Sequence, residues 1–180
     1  MDVTRATFTV HSFDADAFGL LSAAALAGYL QEAAGRSADT LGFGMSHLNE
    51  RGLAWVLARQ QVVLDAPIRF GDSLTVETWP SGLDRISALR DFRLWRDGVE
   101  VGRALTSWLV MELATRRPRR PDRILPPERH AQTGHVMPLP DAPVPALAEA
   151  ALERRFQVRF ADIDTNLHVL GGRPMGWPPG

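Results

Sequence analysis

Four polar side chains near the end of the chain occupy alternating positions: Asp162, Asp164, Asn166 and His168. In an extended segment, residues spaced by two lie on the same face. A carboxylate, an amide and an imidazole on one face can orient a water molecule, accept its proton and polarise a carbonyl group. The alternative is a polar strand end, because Asp and Asn also favour turns. The spacing alone leaves both interpretations open.

The segment that carries these residues repeats an earlier one. The letters FTV at 8–10 and DAD at 14–16 match FQV at 156–158 and DID at 162–164. The second copy follows a proline-rich stretch, which is where a second copy of a domain would begin. Beyond 164 the copies diverge, since the Gly and Pro residues of the last ten positions do not sustain a helix. We therefore predict a complete domain at 1–115, a linker at 116–151 and an incomplete second domain at 152–180.

The first domain contains a long apolar stretch from Gly19 to Leu41, around which its other elements are expected to pack. Its apolar residues recur at near-helical spacing, and alanines make the opposite side of the first turns apolar as well, so we expect a helix buried on most of its surface. Ser22 is a plausible N-cap, and Gly42 stands where a left-handed residue would end the helix. The apolar run is too short to span a membrane.

Sequence patterns predict strands in most of the remaining chain. Alternating or apolar segments bounded by turn residues occur at 8–13, 53–65, 74–79, 86–95, 99–112 and 156–160. Pro80–Gly82 predicts a turn, Asp97–Gly98 predicts a hairpin, and 45–52 has the character of a loop. One helix and a meander of four long strands favour an α+β hotdog fold, in which a curved antiparallel sheet wraps around a long central helix, followed by the first strand of a second hotdog.

Composition excludes several classes of protein. The net charge of −1 gives no general case for nucleic-acid binding, and the chain has no cysteine for disulfides or thiolate chemistry. The first residues lack a signal-peptide pattern, which predicts a cytoplasmic protein. His47, His130 and His135 show no metal-ligand spacing, so we expect neither a metal nor another cofactor.

Several blocks of the chain resemble one enzyme family. They include the WVLAR entry at 55–59, GD at 71–72 before ETW at 77–79, RD at 90–91, GRA at 102–104, SW at 107–108 and TRR at 115–117. Together with FADIDTNLHV at 160–169, these blocks resemble the acyl-acyl-carrier-protein thioesterases, which have two hotdogs in one chain. The resemblance implies hydrolysis of acyl-acyl-carrier protein to a free fatty acid in fatty acid biosynthesis. It also implies a longer chain, so we expect this one to be truncated at its C-terminus.

The resemblance assigns roles to individual residues. Asn166 and His168 would bind and polarise the thioester or its attacking water, and Asp164 would orient them. A further catalytic residue would lie beyond this chain, and Leu170–Gly172 stand where the family pattern has two asparagines and a helix. Asp14 and Asp16 occupy the corresponding place in the first copy, but no His or Asn follows them there, so turn or capping roles are favoured.

A basic cluster follows the last long strand of the first domain. Arg116, Arg117, Arg119 and Arg120 form either a solvated strand exit or a docking patch for the acidic carrier protein. Arg90 and neighbouring arginines at 85, 93 and 96 are candidates to extend this patch.

The sequence is compatible with three functions. The first is thioester hydrolysis on acyl-acyl-carrier protein, and the second is a remnant that binds the acyl chain or carrier protein without turnover. The third is a homodimeric single-hotdog acyl-CoA thioesterase that uses Asp14 or Asp16. An uncovered sheet edge predicts a homo-oligomer in any case.

Overall fold

The computed structural model describes residues 2–129, 133–139, 153, 155, 157–160 and 163. In chain order the elements are β1 (Thr4–Thr9), α1 (Ala23–Thr40), α2 (Met45–Asn49), β2 (Leu53–Leu64), β3 (Ser73–Asp84), β4 (Ser87–Arg96), β5 (Val99–Glu112) and β6 (Arg117–Arg119), followed by two short 3-10 helices, Pro121–Arg123 and Pro127–Arg129.

One antiparallel sheet contains all of the strands among the described residues. Its order is β1-β3-β4-β5-β2, and β6 pairs with the last three residues of β5. The predicted meander of four consecutive long strands is wrong for β2, which lies at the far edge against β5 instead of beside β3. The connection from β2 to β3 passes the start of α1, where the Leu21 amide donates to the Ile68 carbonyl at 2.9 Å. Long-range packing on the helix therefore sets the strand order, and local sequence patterns do not encode it.

Helix α1 has the predicted ends. The Ser22 hydroxyl accepts a hydrogen bond from the Ala25 amide at 3.2 Å, which satisfies one free amide of the first turn. Gly42 has a φ of +78°, as a left-handed residue after the helix requires. One side of the helix is buried against the sheet, but Glu32, Arg36 and other residues of the opposite side are exposed. The prediction of a helix buried on most of its surface is therefore wrong for the described part of the chain.

The core lies between α1 and the concave face of the sheet and consists of two clusters. The first packs Leu30 of the helix with Val76, Phe92 and Leu94 of the central strands. The second lies near the end of α1 and contains Ala38, Phe43, Leu48, Leu53, Val110 and Leu125. Burial of apolar side chains in both clusters is the main favourable contribution to folding.

Two predicted boundaries differ from the structure, one because a turn ends a strand early and one because strand pairing continues through a predicted turn. β1 ends at Thr9 rather than at residue 13, since the His11 amide donates to the Asp14 carboxylate at 3.0 Å and the Asp14 amide donates to the His11 carbonyl at 3.0 Å. The turn predicted at 80–82 is wrong. β3 continues to Asp84, and a register shift between Pro80 and Gly82 accommodates the proline within the strand.

Other segments also depart from the prediction. The loop predicted at 45–52 contains α2, and β6 forms inside the predicted linker. Residues 157–160 form no strand, although a strand was predicted at 156–160. The Asp97–Gly98 hairpin is confirmed, with φ of +51° and +76° at its two turn residues.

Candidate functional site

The predicted catalytic residues Asp164, Asn166 and His168 lie outside the described residues, as does Asp162. Their proximity to one another and their roles stay predictions. Three candidate regions lie within the described residues. They are Asp14 and Asp16 before α1, the basic segment 116–120 after β5, and residues 133–139, which lie over the sheet.

Asp14 is held by structural hydrogen bonds. Its carboxylate accepts from the Tyr29 hydroxyl at 2.7 Å and from the His11 amide at 3.0 Å. Burial, followed by the hydrogen bond to Asp14 and the charge of that residue, raises the pKa of the Tyr29 phenol above its usual range. The Asp14 carboxylate therefore anchors the loop before α1 to the helix, in agreement with the preference for a turn role.

Asp16 closes a turn in the same loop. One of its carboxylate oxygens accepts from the amides of Phe18 at 2.8 Å and Leu20 at 3.0 Å. This arrangement is typical of Asp in turns, where a short side chain replaces backbone hydrogen bonding. Neither first-copy acid pairs with an imidazole or an amide side chain among the described residues, so a catalytic role for them gains no support.

The basic segment after β5 is exposed along its length. Arg116 occupies a tight turn with a φ of +53°, and β6 follows directly. The Arg119 guanidinium lies 3.0 Å from the Glu112 carboxylate, and that of Arg120 lies 2.8 Å from the Asp122 carboxylate. The hydrogen bond from Arg120, aided by the positive charges of Arg120 and Arg123, lowers the pKa of Asp122. Two of the four predicted docking arginines are thus already paired within the chain.

Arg119 and Arg120 border an open cleft of about 460 Å³, here called the arginine cleft. Its lining combines four arginines, one carboxylate and apolar side chains: Arg51, Leu53, Glu112, Pro118, Arg119, Arg120, Arg123 and Ile124. The Leu113 amide donates to the Gly52 carbonyl at 2.9 Å, which holds the turn before β2 against the end of β5. Sequence analysis did not identify Arg51, because only the fold brings this turn to the basic segment.

Arg90 is buried and cannot extend the basic patch, contrary to the prediction. It lies on the same face of β4 as the core residue Phe92, and only 6% of its surface is exposed. Its guanidinium donates to the Thr78 hydroxyl at 3.1 Å, and no described carboxylate pairs with it. Burial lowers the pKa of Arg90 to about 10, so the side chain remains a cation at neutral pH.

Residues 133–139, which lie within the predicted linker and are called the linker segment below, are held by Asp91 against the face of the sheet opposite to the core. This carboxylate has no exposed surface and accepts from the Val136 amide at 2.7 Å and the His135 Nδ1 at 2.9 Å. The Thr133 amide adds a hydrogen bond to the Ser81 carbonyl at 3.0 Å. Residues 133–139 therefore follow a defined path over the sheet, within the segment 116–151 that the sequence predicts to be a linker.

Among the described residues, no helix is both long and apolar enough to cross a membrane. That part of the chain also has no group of three or more His, Asp or Glu side chains arranged to hold a metal ion.

The helix and its wrapping antiparallel sheet define the hotdog class. A solved 12:0-ACP thioesterase from Umbellularia californica shares this fold with a TM-score of 0.78 and 23% identity, over 97% of this chain and 73% of that one. A solved acyl-ACP thioesterase from Bacteroides thetaiotaomicron has a TM-score of 0.72 and 26% identity, over 96% and 70% of the two chains. The predicted α+β hotdog fold is confirmed.

The family follows from the sequence match. Residues 1–126 match the model of the acyl-ACP thioesterase N-terminal domain, and the chain belongs to that family. It is similar to the chloroplastic palmitoyl-acyl carrier protein thioesterase of Arabidopsis thaliana, with 29% identity over 97% of this chain and 46% of that one. The chain thus spans about half the length of the curated relatives it matches. The resemblance inferred from the sequence is confirmed.

Proposed function

We propose that this chain takes part in hydrolysis of the thioester of acyl-acyl-carrier protein, releasing a free fatty acid in fatty acid biosynthesis. The observation that carries this proposal is the family match over residues 1–126. The relatives with this domain are named as acyl-carrier-protein thioesterases, which supports the same substrate class here.

In the proposed reaction, water adds to the thioester carbonyl carbon and the carbon–sulfur bond breaks. The acyl group leaves as a carboxylic acid, and the carrier sulfur takes a proton and leaves as a thiol. His168 and Asn166 would polarise the carbonyl group or the water, and Asp164 would orient them. This assignment rests on the sequence motif and on the general chemistry of such groups.

The test is release of free fatty acid from long-chain acyl-acyl-carrier protein by the purified chain. Loss of a group that transfers a proton or polarises the carbonyl lowers turnover by about a hundredfold or more, so His168→Ala should have that effect. His47→Ala is the matched control, because His47 is exposed in α2, and should leave the rate unchanged. Equal rates for the wild type and His168→Ala would refute the assignment.

A second candidate is a module that binds the acyl chain or carrier protein without turnover. It is favoured by Leu170–Gly172, which stand where the family motif continues with asparagines and a helix. Binding of acyl-acyl-carrier protein with no release of fatty acid would identify this function. The third candidate, an acyl-CoA thioesterase using Asp14 or Asp16, is disfavoured by the structural hydrogen bonds of both residues.

Carrier-protein docking at Arg116, Arg117, Arg119 and Arg120 belongs to the same proposal. The exposure of this segment supports it, and an acidic partner is the chemistry that such a segment attracts. The predicted cytoplasmic location stays a prediction, since the plant relatives are described as chloroplastic.

We also propose that the chain forms homo-oligomers. Among the described strands, β2 pairs only with β5, so the other edge of this 12-residue strand has no neighbour there. An open edge of this length favours pairing with another copy. Light scattering after size-exclusion chromatography tests the proposal, and a monomer at all concentrations would contradict it.

A further inference from the structure

The arginine cleft combines guanidinium groups that form ion pairs within the described chain with others that do not. Arg119 and Arg120 are each within 3.0 Å of a carboxylate of the same chain. Arg51 and Arg123 line the same cleft and are exposed, and neither forms an ion pair with any residue that the structure describes. Once the two internal pairs are counted, the cleft retains two positive charges, in a chain whose net charge is −1.

The two unpaired arginines come from different parts of the fold. Arg51 follows α2, and Arg123 ends the first 3-10 helix. The hydrogen bond between Leu113 and Gly52 and the pairing of β6 with β5 bring these parts together. An anion that binds both guanidiniums would therefore be recognised by the folded protein and not by a flexible basic tail.

The chemistry of the cleft favours a phosphate next to an apolar group. A guanidinium presents a planar set of donors that matches the oxygens of phosphate. Leu53 and Ile124 add apolar surface beside these donors, and a volume of about 460 Å³ exceeds what a lone phosphate needs. A phosphopantetheine arm has this combination, because its phosphate is attached to a branched hydrocarbon segment.

We propose that the arginine cleft binds the phosphate of the phosphopantetheine arm that carries the acyl thioester, and that Arg51 and Arg123 are its ligands. The inference rests on the proposed function, which supplies a substrate on such an arm. It assigns the phosphate to two arginines outside the proposed docking set, because Arg119 and Arg120 are already paired within the chain.

Binding of the full chain to defined ligands tests the proposal. Calorimetry would compare holo-carrier protein, apo-carrier protein, coenzyme A and pantetheine, which lacks the phosphate. We expect Arg51→Gln and Arg123→Gln each to weaken binding of holo-carrier protein about tenfold, since each removes a hydrogen bond between charged groups. Arg5→Gln is the control, because Arg5 is exposed and pairs with Glu77 on β3, and should leave the affinity unchanged.

The ligands separate the possible sources of the phosphate. Similar affinities for coenzyme A and holo-carrier protein, both lowered by the variants, would support recognition of the phosphopantetheine arm alone. Tighter binding of holo-carrier protein than of coenzyme A would support recognition of the arm when it is attached to the carrier protein. Equal affinities for holo- and apo-carrier protein, or no effect of the double variant Arg51→Gln/Arg123→Gln, would overturn the proposal.

The experiments distinguish a failure of the cleft assignment from a failure of the proposed hydrolytic function. If the double variant hydrolyses and binds like the wild type, the cleft assignment falls and thioester hydrolysis stands. If the phosphate binds through Arg51 and Arg123 but no fatty acid is released, the cleft stands and the hydrolytic function falls.

Discussion

Replacing Asp91 with Asn should release the linker segment from the sheet. The Asp91 carboxylate is an acceptor only, so the proton at this contact belongs to Nδ1 of His135. The substitution preserves the size of the side chain but places an amide N–H₂ opposite this N–H. The imidazole can avoid the clash only by moving its proton to Nε2, which is buried and has no hydrogen-bond partner. Either arrangement leaves a buried donor unsatisfied.

The magnitude follows from the contacts. Asn keeps an oxygen for the Val136 amide, so one of the two hydrogen bonds survives in a weaker, uncharged form. Hydrogen bonds to charged groups contribute about 1.5–3 kcal/mol, and an unsatisfied buried polar group costs about 1–3 kcal/mol. We expect Asp91→Asn to lower the free energy of unfolding by about 2 kcal/mol and Asp91→Ala to lower it further.

Two measurements check this prediction. Urea unfolding followed by tryptophan fluorescence gives the global stability, and hydrogen exchange of the Val136 amide reports local detachment of the linker segment. Asp84→Asn, at the exposed end of β3, is the matched control and should change neither. Unchanged stability together with full protection of the Val136 amide would refute the role assigned to Asp91.

Three further predictions concern the sheet and its turns. Gly102→Ala should lower the melting temperature, since a Cβ would lie 2.7 Å from the Val63 carbonyl oxygen, and overpacking of this kind costs about 1–3 kcal/mol. Arg116→Gly should raise the free energy of unfolding by about 1 kcal/mol, because glycine tolerates the φ of +53° that strains other residues. Asp72→Asn should destabilise the protein at neutral pH, with a smaller difference at low pH. The Arg69 amide, followed by Arg96, lowers the pKa of Asp72 in the folded state below its ordinary value of 3.8, so this stabilisation is present above 3.8 and is lost as the pH falls through the folded-state pKa.

Each of these predictions has a control or a contrary outcome. Gly35→Ala should stabilise the protein, since a Cβ there meets no atom within 4 Å and alanine favours a helix. A lower melting temperature for Arg116→Gly would show that its left-handed turn is not strained. An equal loss of stability for Asp72→Asn across the whole pH range would mean that the charge of Asp72 contributes nothing.

Local chemistry made much of the fold predictable. Ser22 and Gly42 delimit α1 because capping depends on residues adjacent in sequence. The Asp97–Gly98 turn is set by two residues that tolerate positive φ. Strand β5 was predicted with its observed bounds, since alternation and length are visible in the sequence.

Other features depend on contacts between distant segments. Arg90 lies between Leu89 and Asp91, which are both buried as well, so its position in the core becomes clear only when the register with β3 and β5 is known. Pro80 predicts a turn by itself, yet pairing with β4 holds it inside a strand. The motif with Asp164, Asn166 and His168 is visible in the sequence, but its geometry lies outside the described residues and stays a prediction.

The sequence by itself determined the central helix, most strand positions and the family, and it predicts a hydrolytic motif, because these depend on neighbours along the chain. Only the tertiary structure decided that β2 lies at the sheet edge, that Asp91 binds residues 135 and 136, and that Arg51 and Arg123 line one cleft. These features join residues tens of positions apart, and the free energy that selects such contacts comes from burial and hydrogen bonding in the assembled fold.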